Sequence, residues 1–116
     1  MRYDFERLEV YQQAMNFTER IYELTESFPQ HLQYSLGDQL RRAALSICNN
    51  LAEGSQKRGA AKRQFCGYAL DSSRECVPML QLCQRRHLID ETSCSQLTDL
   101  GFHVGNMLYR MLAKVV

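Results

Sequence analysis

Four stretches of this chain space their apolar residues alternately four and three apart, and that spacing leaves few folds open. Val10, Ala14, Phe17, Ile21, Leu24 and Phe28 form the first stripe, and Leu40, Ala44, Ile47 and Leu51 the second. Phe65, Ala69, Ser72, Cys76, Met79 and Cys83 form the third, and Leu97, Gly101, Val104, Leu108, Met111 and Val115 the fourth. Steps of three and four place side chains on one face of an α-helix, and two such faces pack by interlocking. No stretch alternates with the period of two that a half-buried strand requires. Helices are predicted over about Phe5 to Ser27, Leu36 to Glu53, Ala60 to Arg86, and Asp90 to the end.

The punctuation agrees. Proline at 29 disfavours a helical Phe28. Ser35 and Asp90 are expected N-caps, and Gly54 suits the position just past a helix end. Pro78 falls inside the third segment, where a kink is expected, not a break, because the stripe continues in phase to Cys83. The short connections make neighbouring helices antiparallel. Residues 1–116 are therefore expected to form a single all-α domain, an up-down-up-down antiparallel four-helix bundle. With 45% apolar and 23% charged residues, the chain has the composition of an ordinary globular domain. Its start, MRYDFERLEV, lacks the apolar core of a secretory leader, and no apolar run approaches a membrane span. A cytoplasmic protein without a membrane partner is expected. The five cysteines form no CxxC pair and are expected to be small core residues.

A bundle needs its stripe and one flanking position apolar, while heptad position b, just after alternate stripe residues, should face water. Here that position holds Met15, Tyr22, Leu45, Ala52, Leu70, Val77, Phe102 and Tyr109. All eight are apolar or aromatic, and contiguous apolar surface marks contact surfaces. A wide core would also account for them. Self-assembly is the stronger expectation, with Met15, Tyr22, Leu45, Leu70, Val77, Phe102 and Tyr109 as interface residues.

Charge is uneven. Residues 1–38 carry −4, residues 39–65 carry +5, and residues 66–116 are neutral. Lys57, Arg58, Lys62 and Arg63 cluster where the second helix gives way to the third. Backbone donors at a helix start add positive potential there, and phosphate chains are the obvious polyanion. The alternative is a solvated loop. Arg41 borders the presumed assembly face, where an ion-pair network closing on Glu53 is expected. Arg42 borders a polar strip and suits either a structural ion pair or an anion, since a guanidinium fork fits carboxylate and phosphate alike. Asn50 and Glu53 lie one turn apart beside Gly54, and a mainly structural role is expected of both. Glu53 has no second carboxylate, nucleophile or metal ligand at useful spacing for work as a general base.

The stretches LEVYQQAM, YELTESFP and QLRRAALSICNNLAEG resemble the four-helix-bundle family of 23S rRNA intervening-sequence proteins. The likeness covers nearly the whole chain. It is strongest at Gln39–Arg42 and at Ser46–Gly54, where the family pattern reads roughly Ser-Ile-x-x-Asn-Ile/Leu-Ala-Glu-Gly. The resemblance implies a small cytoplasmic bacterial bundle that assembles as a ring-like homopentamer. More distant relatives are strongly basic accessory proteins of a retroelement reverse transcriptase. This chain departs from the pattern at Cys48, often proline in the family, at GAAKRQF, and at Cys76-Val77-Pro78.

His31, His87 and His103 are scattered, and no metal, P-loop, dinucleotide or nucleophile-elbow motif occurs. No cofactor and no enzymatic activity are expected. The leading expectation is an oligomeric scaffold that binds RNA or DNA through sequence-tolerant phosphate contacts at Arg42, Lys57, Arg58, Lys62 and Arg63. The alternatives are a protein-protein adaptor that holds a peptide in a groove or central opening, and an enzyme with an inter-subunit pocket.

Overall fold

A computed structural model describes residues 2–115. A single 3-10 turn, Asp4–Arg7, leads into α1, Glu9–Glu26. A helical turn at Gln30–Leu32 and a π-helical stretch at Gln33–Gly37 run directly into α2, Asp38–Gly54. Then follow α3, Gly59–Arg85, and α4, Glu91–Ala113. No strand occurs among the described residues. No helix is long and apolar enough to cross a membrane. The molecule measures 43 × 23 × 23 Å, and its long dimension matches the ~40 Å expected of the 27-residue α3 at 1.5 Å per residue.

The helices surround one core in cyclic order: α1 packs on α2, α2 on α3, α3 on α4, and α4 back on α1. The four stripes supply most of that core, but in α3 Leu80 and Cys66 are buried where the stripe placed Met79 and Phe65, which are half-buried. Phe17, Ile21, Leu40, Ile47, Leu80, Val104 and Leu108 are fully buried. Polar groups inside it are satisfied. The Thr18 hydroxyl donates to the Ala14 and Ala44 carbonyls at 2.8 and 3.2 Å, joining α1 to α2. Ser72 Oγ donates to Ser46 Oγ at 2.9 Å between α2 and α3. At Gly101 a Cβ would stand 3.2 Å from the Phe17 ring, so glycine there lets α4 approach α1 closely.

Several expectations about helix ends need correction. Ser35 is not an N-cap: it lies within the π-helical stretch, and α2 continues from it without a capped start. Gly54 does not adopt a left-handed cap conformation. It is the last residue of α2 and is buried, and its lack of a side chain matters sterically. Asp90 does cap α4, its Oδ1 accepting from Ser93 N at 2.7 Å. Helix α3 ends in a left-handed His87, with Leu88 N donating to the Cys83 carbonyl at 2.8 Å, a Schellman closure. Pro78 leaves α3 continuous. Pro78 is exposed, so water can serve the carbonyl its ring leaves unpaired.

All five cysteines are free and buried. Burial pushes the Cys76 thiol up to about 12 and the Cys83 thiol to about 11, from an ordinary 9.0. The folded state therefore holds these protons more tightly than the unfolded chain. Their contribution to stability is complete below pH 9 and is lost as pH rises through about 11 and then about 12. At pH 8 the thiolate fraction of either group is roughly one in a thousand or less. In a thiol titration with an aromatic disulfide at pH 8, the native protein should react far more slowly than the protein in guanidinium chloride. Rapid reaction of Cys76 and Cys83 in the folded protein would contradict this core.

Candidate anion-binding site

The basic cluster expected from the sequence is completed by a part of the chain far from it. The turn between α2 and α3, together with the last turns of α4, forms a cleft of about 830 Å³ at one end of the bundle. Lys57, Arg58 and Lys62 line it from the α2–α3 side, and Arg110 and Lys114 from α4. No acidic side chain lines this cleft among the described residues. Five cations converging on low-dielectric walls focus a positive potential that attracts polyanions.

The local chain conformation opens this cleft. Gly59 begins α3 at φ 58°, a left-handed conformation that glycine adopts without steric cost. Arg58 precedes it in extended conformation, and no side chain caps the amides of the first turn. Those amides add the partial positive charge of a helix N-terminus to the side-chain charge. Gly54 holds α2 and α3 together at this corner, for a Cβ there would lie 2.9 Å from Phe65 Cβ.

Beside the cleft, and sharing Ser55, Lys62 and Met111 with it, lies a smaller slot of about 170 Å³. Phe5, Leu8, Leu51, Cys66 and Met111 make its apolar wall, and Asp4 and Asn50 its polar edge. Phe5 belongs to a small aromatic cluster, stacked on Tyr3 at 5.6 Å and edge-on to Tyr11 at 5.0 Å. Burial pushes the Cys66 thiol up, and the Lys62 charge nearby pulls the other way.

The remaining expected residues lie elsewhere. Arg63 sits beside the cleft, but its guanidinium donates to the Val115 carbonyl at 2.9 Å and fastens the end of α4. Arg42 is not brought to the cleft. Thirteen residues of helix separate it from Ser55, or about 20 Å along the axis. It is 80% exposed and pairs with Asp38 at 2.9 Å, one turn back. Arg41 does not close a network on Glu53. It donates to the Gln33 carbonyl at 2.6 Å and to Gln33 Oε1 at 3.3 Å, pinning the π-helical turn to α2. Asn50 and Glu53 do not bond to each other. Asn50 Nδ2 donates to the Ser46 carbonyl at 2.8 Å and to Ser46 Oγ at 3.0 Å, while Glu53 is exposed.

The apolar positions outside the stripes divide into two groups. Leu70 is buried in the core of the chain, and Met15 packs against that core. Both therefore have an intramolecular role that the spacing rule assigned to assembly. Tyr22, Leu45, Phe102 and Tyr109 are exposed, the last two at 67% and 60%. Phe102 and Tyr109 line a groove between α3 and α4 with Val77, Gly101 and Gly105. Tyr22 and Leu45 lie one turn from Thr18 and next to Ala44, the residues that meet between α1 and α2.

Sequence reasoning missed Arg110 and Lys114. Their i, i+4 spacing was visible, but on a helix end it reads as ordinary compensation of the helix dipole.

The Gly54 contact is the simplest feature of this corner to check. Gly54→Ala should destabilise by about 1–3 kcal/mol from overpacking against Phe65, outweighing alanine's better helix propensity. Urea unfolding measures it, and an unchanged midpoint would show that α2 and α3 are less tightly joined here.

Comparison with known proteins agrees with the fold. No curated protein matches. A crystal structure of a protein of unknown function from the S23 ribosomal protein family of Bacteroides thetaiotaomicron VPI-5482 superposes with a TM-score of 0.83 at 20% identity, covering 90% of this chain and 96% of that one. The family described as 23S rRNA-intervening sequence protein matches residues 6–110. With nearly its whole length matched, and with the four helices in place, the chain belongs to the 23S rRNA-intervening sequence protein family.

Proposed function

We propose that this protein is a non-enzymatic, cytoplasmic, oligomeric scaffold that binds the phosphate backbone of RNA at the basic end of its bundle. The observation that carries this reading is the cleft itself: Lys57, Arg58, Lys62, Arg110 and Lys114 converge with the uncapped start of α3, and no acidic side chain joins them. Flexible cations and backbone amides suit a chain of phosphates. They hold a backbone in place without distinguishing its bases.

The assembly reading rests on the apolar faces. The contacts between neighbouring helices support an up-down-up-down antiparallel order: Thr18 meets Ala44, Ser46 meets Ser72, Cys66 meets Leu108, and Leu80 meets Cys94. In that cyclic order the α1/α2 seam, with Tyr22 and Leu45, lies opposite the α3/α4 groove with Val77, Phe102 and Tyr109. Two different apolar faces on opposite sides favour a head-to-tail contact, which closes into a ring when the rotation allows. A ring of five is the number implied by the family likeness. Repetition of the cleft around one rim would then make a basic collar.

Light scattering on a sizing column should give about five times the 13.5 kDa chain mass. Phe102→Glu or Tyr109→Glu should dissociate the ring without unfolding the subunit, because both residues are exposed in the single chain. Leu70→Glu is no test, since it would place a charge in the subunit's own core. A monomer at micromolar concentration would rule the assembly out.

Binding is tested by salt titration with a fluorescent single strand and a duplex. Affinity should fall steeply with salt. Changing Lys57, Arg58, Arg110 and Lys114 together to alanine should flatten the plot of log affinity against log salt by about 0.7 per lost contact on the single strand and 0.9 on the duplex. Arg42→Ala should leave it unchanged. Absence of binding at low salt would overturn the nucleic-acid reading in favour of a peptide-holding adaptor, with the α3/α4 groove as the site.

A further inference from the structure

The slot beside the cleft has a chemistry of its own. It holds about 170 Å³, against the roughly 150 Å³ cavity that accommodates a benzene ring in an engineered core. Its walls are the Phe5 ring and the side chains of Leu8, Leu51 and Met111. The space suits one flat aromatic ring. Its polar edge is made of acceptors. Asn50 uses its amide nitrogen on Ser46, and among the described residues its Oδ1 accepts no hydrogen bond. Asp4 adds a carboxylate. The slot opens beside Lys62, which also lines the phosphate cleft. A ligand that fills both has a flat ring bearing an amino group and, one sugar away, an anionic phosphate. The Asp4 carboxylate repels phosphate, so it orients such a ligand with ring inward and phosphate on the cations.

We infer that the slot holds one unstacked, amino-bearing nucleobase of a single strand, cytosine best by size, while the neighbouring phosphates lie in the basic cleft. This inference rests on the phosphate-binding reading above and adds to it a preference for single strands. In a duplex the base would have to be flipped out of the stack before it could enter. In a single strand it is available, and a base against an aromatic and apolar wall adds affinity to the phosphate contacts. Phosphate attraction brings any strand to the cleft, and the slot then distinguishes among strands.

The test uses the intact protein at fixed salt with three single strands of equal length and charge, oligocytidylate, oligouridylate and an abasic ribose-phosphate chain, and with cytidylate paired in a duplex, whose second strand doubles the charge. Oligocytidylate should bind about tenfold more tightly than the abasic chain, and more tightly than both oligouridylate and the duplex. Phe5→Ala, which removes a wall of the slot from a peripheral turn, should abolish that advantage and leave abasic binding unchanged. Equal affinity for the cytidylate and abasic strands would overturn the inference while leaving phosphate binding intact. Equal affinity for cytidylate and uridylate would overturn the amino-group preference and with it the inference. Competition by cytidine monophosphate as strong as by the oligonucleotide would overturn the single strand as ligand. Failure of every strand to bind would instead remove the phosphate reading on which the inference stands.

Discussion

The burial of four apolar stripes against one another is the constraint on which everything else in this structure depends. Each stripe recurs every three or four residues, so each helix has only one face it can turn inward. Four such faces close a single core, with Phe17, Ile21, Ile47, Leu80 and Leu108 wholly inside. Glycine at 101 and the Ser46–Ser72 pair refine the fit, letting helices approach where a larger or unpaired side chain would hold them apart. Once the inward faces are set, the outward ones have no freedom. The exposed Tyr22, Leu45, Phe102 and Tyr109 stand where they do because their neighbours one position away are buried.

The same constraint builds the cleft. With α2 and α3 joined through a tight corner at Gly54 and Gly59, and α4 packed on α3, the end of α4 falls beside the α2–α3 turn. The cations of the turn and those of the last helix are thereby brought into one wall, and among the described residues none of the five is paired with a carboxylate. Three arginines near the first turns of α2 and α3 are occupied instead. Arg42 is paired with Asp38, Arg41 holds Gln33, and Arg63 fastens the end of α4. Potential is concentrated at this end because five cations converge on one cleft.

A site of this kind binds by sum, not by any single contact. Each surface cation is screened and weak alone. Several together release many counterions from a phosphate chain, and the affinity then depends on salt more than on sequence. In the proposed ring, repeated clefts would multiply the effect by raising the local concentration of sites along one strand. An apolar slot next to such a surface contributes little to encounter but can discriminate among the strands that arrive.

The sequence by itself determined the helices, the basic turn and the inward faces, the last with Cys66 and Leu80 in place of Phe65 and Met79 on α3, because those are local properties of spacing, propensity and charge. Val10 through Phe28 and Leu40 through Leu51 lie buried or half-buried as their spacing demands, and Asp90 caps α4 as its side chain allows. Other roles were not legible there. Ser35 reads as a cap in isolation, yet Arg41 on the next turns holds Gln33 and the segment is π-helical. Leu70 reads as surface by its position in the repeat, but the close approach of α3 and α4 encloses it. Arg110 and Lys114 lie about fifty residues from Lys57 and Arg58, and only the return of α4 along α3 places them in one cleft. Periodicity says which side of a helix is covered. Which helix covers it, and which charges meet across the gap, is decided by packing at long range.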